Sequence, residues 1–365
     1  MKKVGFIGWR GMVGSVLMER MKEENDFSKM ESYFFSTSTG GIEAPAVANG
    51  NPKVLSSIDI KELMKMDILV SCQGGEFTTE MHPALRGAGW KGYWIDAASS
   101  LRMKQDSVIV LDPVNRHIVE ESIHQGVKDF VGGNCTVSLM LIALHGLFKA
   151  ELVEWVSSMT YQAASGAGAK NMLELLAQMN TVGSKYAANP ALGAVEMEKV
   201  SNTLLSSSEF PKANFGHPLA LNLLPWIDSE MPSGQSKEEW KAQVEANKIL
   251  QTTKVIPIDG TCVRVSALRC HSQALTIKLK KNVNLTEIES MIAEANPWVK
   301  LITNNKTDTL ASLTPAATSG TLQIPIGRVR KMTLGDEYLN AFTCGDQLLW
   351  GAAEPLRCTL NQLVH

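Results

Sequence analysis

The run TVSLMLIALHGLF, residues 136–148, is apolar on nearly every side. A helix without a polar face has to be wrapped by protein all round, so this chain must build a core large enough to enclose it. At 365 residues, 44% hydrophobic and 20% charged, there is material for two domains rather than one. Gly132, Gly133, Asn134 and Cys135 stand directly before the run. The buried helix, expected to begin near Thr136, therefore has a thiol at its mouth.

Ahead of that helix the pattern alternates in type. KKVGFIG reads as a strand and MVGSVLMERMKEE as a helix with Val13, Val16, Leu17 and Met21 on one side. Strand-like SYFFSTS, DILVSCQ, YWIDAAS and SVIVLDP follow, with helical FTTEMHPALRGAG between two of them. Short β-branched and aromatic runs separated by helices predict a doubly wound parallel sheet, a Rossmann-like α/β domain over residues 1–133. From 134 to 355 the pattern predicts a second, α+β domain. Strand-like WVSSMTYQAAS leads to an amphipathic helix carrying Met172, Leu175, Leu176 and Met179 at i, i+3, i+4, i+7 spacing. A polar Pro/Gly/Ser-containing region spans roughly 201 to 236. A further helix and the alternating stretches TCVRVSALRCHSQALTIKLK and GRVRKMTL then suggest a mainly antiparallel sheet. The tail is helical with Pro355 interrupting it, and residues 356–365 are expected to pack back on the first domain.

Net charge of −2 gives no reason to expect nucleic acid or an anionic membrane as partner. The N-terminus has no sustained apolar segment or small-residue cleavage site, and no apolar run reaches transmembrane length, so a cytoplasmic protein is expected. The six cysteines form no CxxC pair and read as reduced thiols. Cys270 and His271 are adjacent with Cys262 nearby, but no ligand spacing repeats, so no metal is expected.

Gly8, Gly11 and Gly14 lie directly after the first strand and open the first helix. Glycines there let main chain approach a pyrophosphate held at a helix N-terminus, where unpaired N–H groups and the helix dipole favour negative charge. The spacing is GxxGxxG rather than GxGxxG, and a tight turn with close helix packing is the bland alternative. An NAD site usually ends the second strand with an acidic residue. Here that end is Ser36-Thr37-Ser38, with no carboxylate before Glu43, and Arg10 sits in the glycine turn. Hydroxyls plus a guanidinium suit a 2′-phosphate, which predicts NADP(H).

A thiolate at a helix N-terminus is stabilised by the dipole and free N–H groups, so Cys135 is expected to have a lowered pKa. A nucleophilic thiol beside a nicotinamide points to aldehyde oxidation through a thioester. Of the seven histidines, His271 lies in the sheet region beside two arginines and is the best acid/base candidate. His82, His117 and His124 fall on polar-looking helices of the first domain, His145 lies within the buried helix, His217 in a loop and His365 at the end.

FIGWRGMVG, CQGG, WIDAASSLRM, VGGNCTVSLM, TYQAASGAGA, CVRVSALRCHSQA and GDQLLWGAAEPLR together resemble the aspartate-β-semialdehyde dehydrogenase family, in the form typical of Gram-negative bacteria. The similarity runs from end to end. It implies NADPH-dependent, reversible reductive dephosphorylation of L-aspartyl 4-phosphate to L-aspartate 4-semialdehyde, on the route to lysine, methionine, threonine and diaminopimelate. It also implies a homodimer, with the second domain both catalytic and dimerising. Carried across, the resemblance makes Cys135 the acyl-thioester nucleophile, His271 the acid/base and Gln162 the residue that orients the substrate. Arg264 would hold the substrate carboxylate, a bidentate task suited to guanidinium, and Glu238 the substrate ammonium. Arg102, Lys241 and Asn134 would take the phosphate. Gly8, Arg10, Gly11, Met12, Val13, Gly14, Thr37, Ser38, Gln73, Ser165, Gly166, Pro190 and Gln347 match cofactor positions.

Several of these residues have plainer readings. Ser236-Lys-Glu-Glu239 is a capping box, and spacing alone makes Glu238 and Lys241 a solvated surface pair. Arg102 follows a parallel strand, where such sheets bind ligands, but reads equally as a surface arginine. Gln162 and His271 could be satisfied core residues and Arg264 a solvated strand residue. Arg264 and His271 are seven apart, so one unbroken strand would put them on opposite faces; a bulge or bend around Ser266–Arg269 is expected. Two other readings stay open: N-acetyl-γ-glutamyl-phosphate reductase, which has no ammonium for Glu238, and an inactive NADP-binding sensor or scaffold.

Overall fold

A computed structural model describes residues 1–38 and 40–365. The first seven strands are β1 (Lys3–Ile7), β2 (Glu31–Ser36), β3 (Leu55–Ser56), β4 (Ile68–Ser71), β5 (Tyr93–Asp96), β6 (Ser107–Val110) and β7 (Asp129–Gly132). They form one sheet in the order β3-β2-β1-β4-β5-β7-β6 with parallel pairings. Strands such as ILVS, buried at every position, are what a sheet covered on both faces requires. One face packs Val4, Phe6, Phe34 and Ile95 against Leu17 and Met21, and the other packs Ile7, Phe35, Leu69 and Trp94 against Met81 and Leu85. The strand order reverses between β1 and β4, which opens a crevice at their C-terminal ends.

The tail completes the first face. Its helix, Glu354–Val364, adds Leu356, Leu360 and Leu363 to the Phe6 cluster. Pro355 does not interrupt this helix but sits in its first turn, after a π-helical turn at Leu349–Ala353. The helical backbone runs on from that π-helical turn, with Ala353 and Glu354 in αR dihedrals, so the proline's missing N–H is taken up where the π-helical turn gives way to the α-helix.

The second sheet contains β8 (Val153–Gln162), β9 (Ile258–Asp259), β10 (Cys262–Arg264), β11 (His271–Leu279), β12 (Val299–Leu301), β13 (Ile324–Met332) and β14 (Gly335–Gly345). Its order is β10-β8-β11-β14-β13-β12, with β9 also on β8. The long ladders are antiparallel, and the short pairings of β9, β10 and β12 are parallel. The bent strand expected through Arg264 and His271 is two strands instead. β10 and β11 flank β8 on opposite sides, and Cys270, at φ 73°, turns the chain into β11.

Between the sheets runs the apolar helix, Cys135–Ala143, buried from Thr136 onwards. It begins one residue earlier than expected and stops before Leu144, so that His145 opens a separate short helix, His145–Lys149. Leu139, Met140, Leu141 and Ile142 join Leu275, Ile277, Ile324 and Ile326 of the sheet in the largest core cluster. The opposite face of that sheet leaves Met159 and Tyr161 exposed. On the amphipathic helix, Ala169–Ala187, Leu175 is buried but Leu176 and Met179 are exposed. Truncating Leu360 to alanine should destabilise the fold by about 2–4 kcal/mol, as for other fully buried leucines. A lowered urea midpoint for Leu360→Ala checks this, and an unchanged midpoint would mean that the tail is not part of the first domain's core.

Candidate active site

The glycine turn lies at the mouth of the crevice. Gly8 has φ +72°, and a side chain there would come within 2.5 Å of the main chain at Cys72 and Gln73, so the turn presses against the end of β4. Gly11 precedes the helix Met12–Glu23, and no side chain caps that helix. Its first-turn amides, at Met12, Val13 and Gly14, are thus left for an anion. Arg10 lies over the Trp9 ring, 5.3 Å from its centroid, and donates to Ser36 Oγ at 3.0 Å. The guanidinium is thereby held at the end of β2, beside exposed Thr37 and Ser38. An uncapped helix end, close main-chain approach and a tethered cation together fit a phosphate-bearing dinucleotide.

The thiol stands where the two sheets meet. Chain leaving β7 passes through Gly133 and Asn134 into the helix at Cys135. Asn134 Oδ1 accepts from the Thr136 and Val137 amides, an N-cap that sequence alone does not distinguish from the glycine turn. Asn134 Nδ2 donates to Glu238 Oε1 at 2.9 Å, and Gln162 Nε2 reaches the same oxygen at 3.2 Å. Lys241 Nζ donates to Glu238 Oε2 at 3.1 Å and to Asp228 Oδ2 at 2.7 Å. Glu238 and Lys241 are therefore not a solvated pair: only 6% and 9% of their surfaces are exposed. Their helix, Lys237–Leu250, turns this face inward because Glu245, further along it, is also buried.

On the other side, β8 ends at Gln162 with Arg264 in register beside it on β10. His271 opens β11, next to the Ser272–Tyr161 pair on the far flank of β8. Arg264 and His271 thus approach one spot from two sides of a strand. A side chain at Gly166 would stand 2.7 Å from Arg264 Nη1 and 2.8 Å from His271 Nε2, so both side chains converge on that glycine. Arg264 Nη1 donates to the Ala163 carbonyl at 2.7 Å, and the Ala163 amide donates to His271 Nδ1 at 3.0 Å. Because Nδ1 accepts, the proton of the neutral ring is on Nε2. That Nε2 is buried and has no hydrogen-bond partner among the described residues.

Ser165, Gly166 and Gln347 join this group. Gln347 Nε2 donates to Ser165 Oγ, and Gln347 Oε1 accepts from the Cys270 amide at 2.8 Å. Pro190 does not join it. It is exposed beyond the end of helix Ala169–Ala187, and nineteen helical residues span roughly 28 Å. Among the other histidines, His82 departs from its polar reading: it is buried, with Nε2 3.0 Å from Asp129 Oδ1.

The charges correct the expectation of a lowered thiol pKa. Burial pushes Cys135 up to about 12, and the Glu238 carboxylate adds to this, while Arg264, Arg102 and Lys241 pull downward. Burial and then Arg264 push His271 down to about 3. Without ligands, both groups are neutral at pH 7. Burial opposes the charge on Glu238, but Lys241 and the Asn134 and Gln162 hydrogen bonds outweigh it and hold its pKa low.

Three neighbours escaped the sequence reading. Glu245 Oε2 accepts from the Asn134 amide at 2.6 Å, and its Oε1 lies 3.1 Å from Arg102 Nη1. Asp228 holds Lys241. Gly351, in the π-helical turn, leaves no room for a side chain, which would meet Cys135 Cβ at 2.9 Å. Only Glu245 carries a signal in the sequence, since it continues the 238, 241, 245 stripe on one helix face.

Residues 3–122 match the family described as semialdehyde dehydrogenase, NAD binding domain. Residues 144–350 match semialdehyde dehydrogenase, dimerisation domain. Aspartate semialdehyde dehydrogenase from Francisella tularensis is 54% identical over 100% of both chains, with a TM-score of 0.97. Aspartate semialdehyde dehydrogenase II from Vibrio cholerae, complexed with ASA, is 24% identical over 100% of this chain and 98% of that one, with a TM-score of 0.80. The enzyme from Candida albicans, with NADP, shares the fold at 14% identity over 100% of this chain and 98% of that one, with a TM-score of 0.65. With a thiol, two arginines, a histidine and a buried glutamate–lysine pair gathered beside a dinucleotide crevice, and with full-length identity of 54%, the chain belongs to the aspartate semialdehyde dehydrogenase family.

Proposed function

We propose that this chain reduces L-aspartyl 4-phosphate to L-aspartate 4-semialdehyde with NADPH, reversibly, through an acyl thioester on Cys135. The reading is carried by the convergence of Cys135, Gln162, Arg264 and His271 from four separate segments, with Arg102, Glu238 and Lys241 around them. Arg264 takes the α-carboxylate, and Glu238 the ammonium. Gln162, bonded to Glu238, orients the chain between them. Arg102, Lys241 and Asn134 face the phosphate. The same convergence argues against a scaffold, which has no use for it, and buried Glu238 suits a free ammonium better than the acylated nitrogen of the N-acetylglutamyl phosphate.

The resting protonation states fit this reaction. The Cys135 sulfur bonds to the acyl carbon, the C–O bond to phosphate breaks, and the thiol proton leaves on the departing phosphate. No strong base is required, which suits a histidine held neutral. His271 instead offers its Nε2–H to the carbonyl oxygen as negative charge develops there. NADPH, when bound, supplies a hydride; cleavage of the C–S bond and uptake of one proton then restore the thiol. Glu238 raises the thiol pKa until a substrate ammonium neutralises it, so the nucleophile is activated by the substrate it is to attack.

Arg10, tethered to Ser36 where an NAD site would place an acidic residue, supports NADP(H) over NAD(H). For a homodimer, the support is the exposed apolar surface formed by Leu173, Leu176 and Tyr186 on one helix and Met159 and Tyr161 on β8. The product lies on the route to lysine, methionine, threonine and diaminopimelate.

In the reverse direction, the enzyme should form NADPH from aspartate semialdehyde, NADP⁺ and phosphate, and Cys135→Ala should abolish this while leaving the cofactor bound. A full rate in that variant removes the thiol from the mechanism. Alkylation of Cys135 in the ligand-free enzyme should show a thiol pKa well above that of a free cysteine. Glu238→Gln should lower that pKa and speed alkylation at pH 8, whereas an unchanged profile would deny the carboxylate its control. Finally, Arg10→Ala should raise the KM for NADP⁺ about tenfold, consistent with the loss of one charge-assisted contact, and leave that for NAD⁺ nearly unchanged. An equal rise for both cofactors would refute the assignment.

A further inference from the structure

Glu245 is 2% exposed and lies two turns beyond Glu238 on the helix Lys237–Leu250. Its two oxygens serve different masters. Oε1 pairs with Arg102 Nη1 at 3.1 Å, and Oε2 takes the Asn134 amide at 2.6 Å. Arg102 is fixed a second time, since its Nε donates to the Gly132 carbonyl at 2.7 Å. Gly132 is the last residue of β7, and Asn134 is the cap of the helix that Cys135 begins. One carboxylate therefore spans from the arginine to the main chain one residue before the nucleophile.

We infer that Glu245 is a positioning residue that aims Arg102 at the phosphate and holds it in register with the thiol. The inference rests on the reading of Arg102 as a phosphate ligand. A guanidinium presents five donors in a rigid fork; Nε and Nη1 are anchored, and Nη2, which makes only a long 3.5 Å bond to the Ala97 carbonyl, keeps a donor to meet the phosphate at a set angle. Pre-set geometry of this kind saves the ordering cost that a free arginine would meet on binding. Attaching the second carboxylate oxygen to Asn134 refers that angle to the sulfur rather than to the domain at large.

The sign of one substitution separates this role from simple charge balance. In Glu245→Gln the single carbonyl oxygen can accept from Arg102 or from Asn134, but not both, and the new NH₂ group opposes the other donor. If Glu245 only neutralises Arg102, its removal leaves a stronger cation and lowers the KM for phosphate in the aldehyde-oxidising direction. If it positions Arg102, the KM for phosphate rises about tenfold, while the KM for NADP⁺ stays within twofold. On an Arg102→Gln background, Glu245→Gln should add less than twofold, because the residue through which it acts is already gone.

A phosphate KM that falls or stays put in Glu245→Gln, although Arg102→Gln raises it, would overturn the inference. Should Arg102→Gln itself leave the phosphate KM unchanged, the phosphate-ligand reading fails instead. If Glu245→Gln does not fold, Glu245→Asp keeps the charge and both acceptors on a side chain too short to span both donors. It should raise the phosphate KM at least threefold, and a wild-type value in that variant would equally defeat the proposal.

Discussion

The helix that starts at Cys135 has no face that water can solvate, and the rest of the architecture follows from enclosing it. Its N-terminus is covalently continuous with β7 of the first sheet, and its body is packed under β11, β13 and β14 of the second. Burying it therefore joins the two sheets with the thiol at the seam, just beyond the C-terminal end of β7. A thiol carried on a loop would need its own anchors; here the anchor is the largest hydrophobic cluster among the described residues.

That enclosure also explains the electrical character of the site. Buried charges are tolerated when paired, and breaking one pair costs far more than the pair itself contributes. Glu238 is matched with Lys241, Lys241 with Asp228, and Glu245 with Arg102. A substrate with one ammonium, one carboxylate and one phosphate would exchange these internal partners for its own groups. Affinity then reflects the difference between two well-paired states, which favours discrimination by geometry over sheer attraction.

How much of this could be read in the chain depends on the range of the interaction. Strand–helix alternation, the glycine turn and the apolar helix are local patterns, and they led directly to the two-domain α/β and α+β architecture. The Ser236–Glu239 capping box was likewise readable, since reciprocal side-chain to backbone hydrogen bonds at i, i+3 mark a helix start, but the burial of this helix end was not: nothing near residue 238 announces that Asn134 and Gln162 will cover it. The same distance in sequence hid the height of the thiol pKa, because it is set first by burial under other segments and then by a carboxylate on another helix. Pro355 misled because proline reads alike at a helix start and at a break. The seven-residue gap from Arg264 to His271 called for a break around Ser266–Arg269, and one is there, but its form was not legible: the chain steps across β8 and uses its two flanks.

The step across β8 has a chemical consequence. A single strand would present Arg264 and His271 at a spacing set by its own rise, along one line. Placing them on neighbouring strands lets them converge on Gly166 while Ala163, at the end of β8, bonds to both: its carbonyl to Arg264 and its amide to His271. One peptide segment thus fixes the Arg264 guanidinium and the tautomer of His271 together. Burial and then the Arg264 charge oppose protonation of the ring, and a backbone hydrogen bond at Cys270 pulls the other way without outweighing them. The histidine is held neutral by two effects, burial and the neighbouring guanidinium. In the proposed reaction, a site built in this way would stabilise charge as it appears, and the movement of the thiol proton would fall to the substrate's own phosphate.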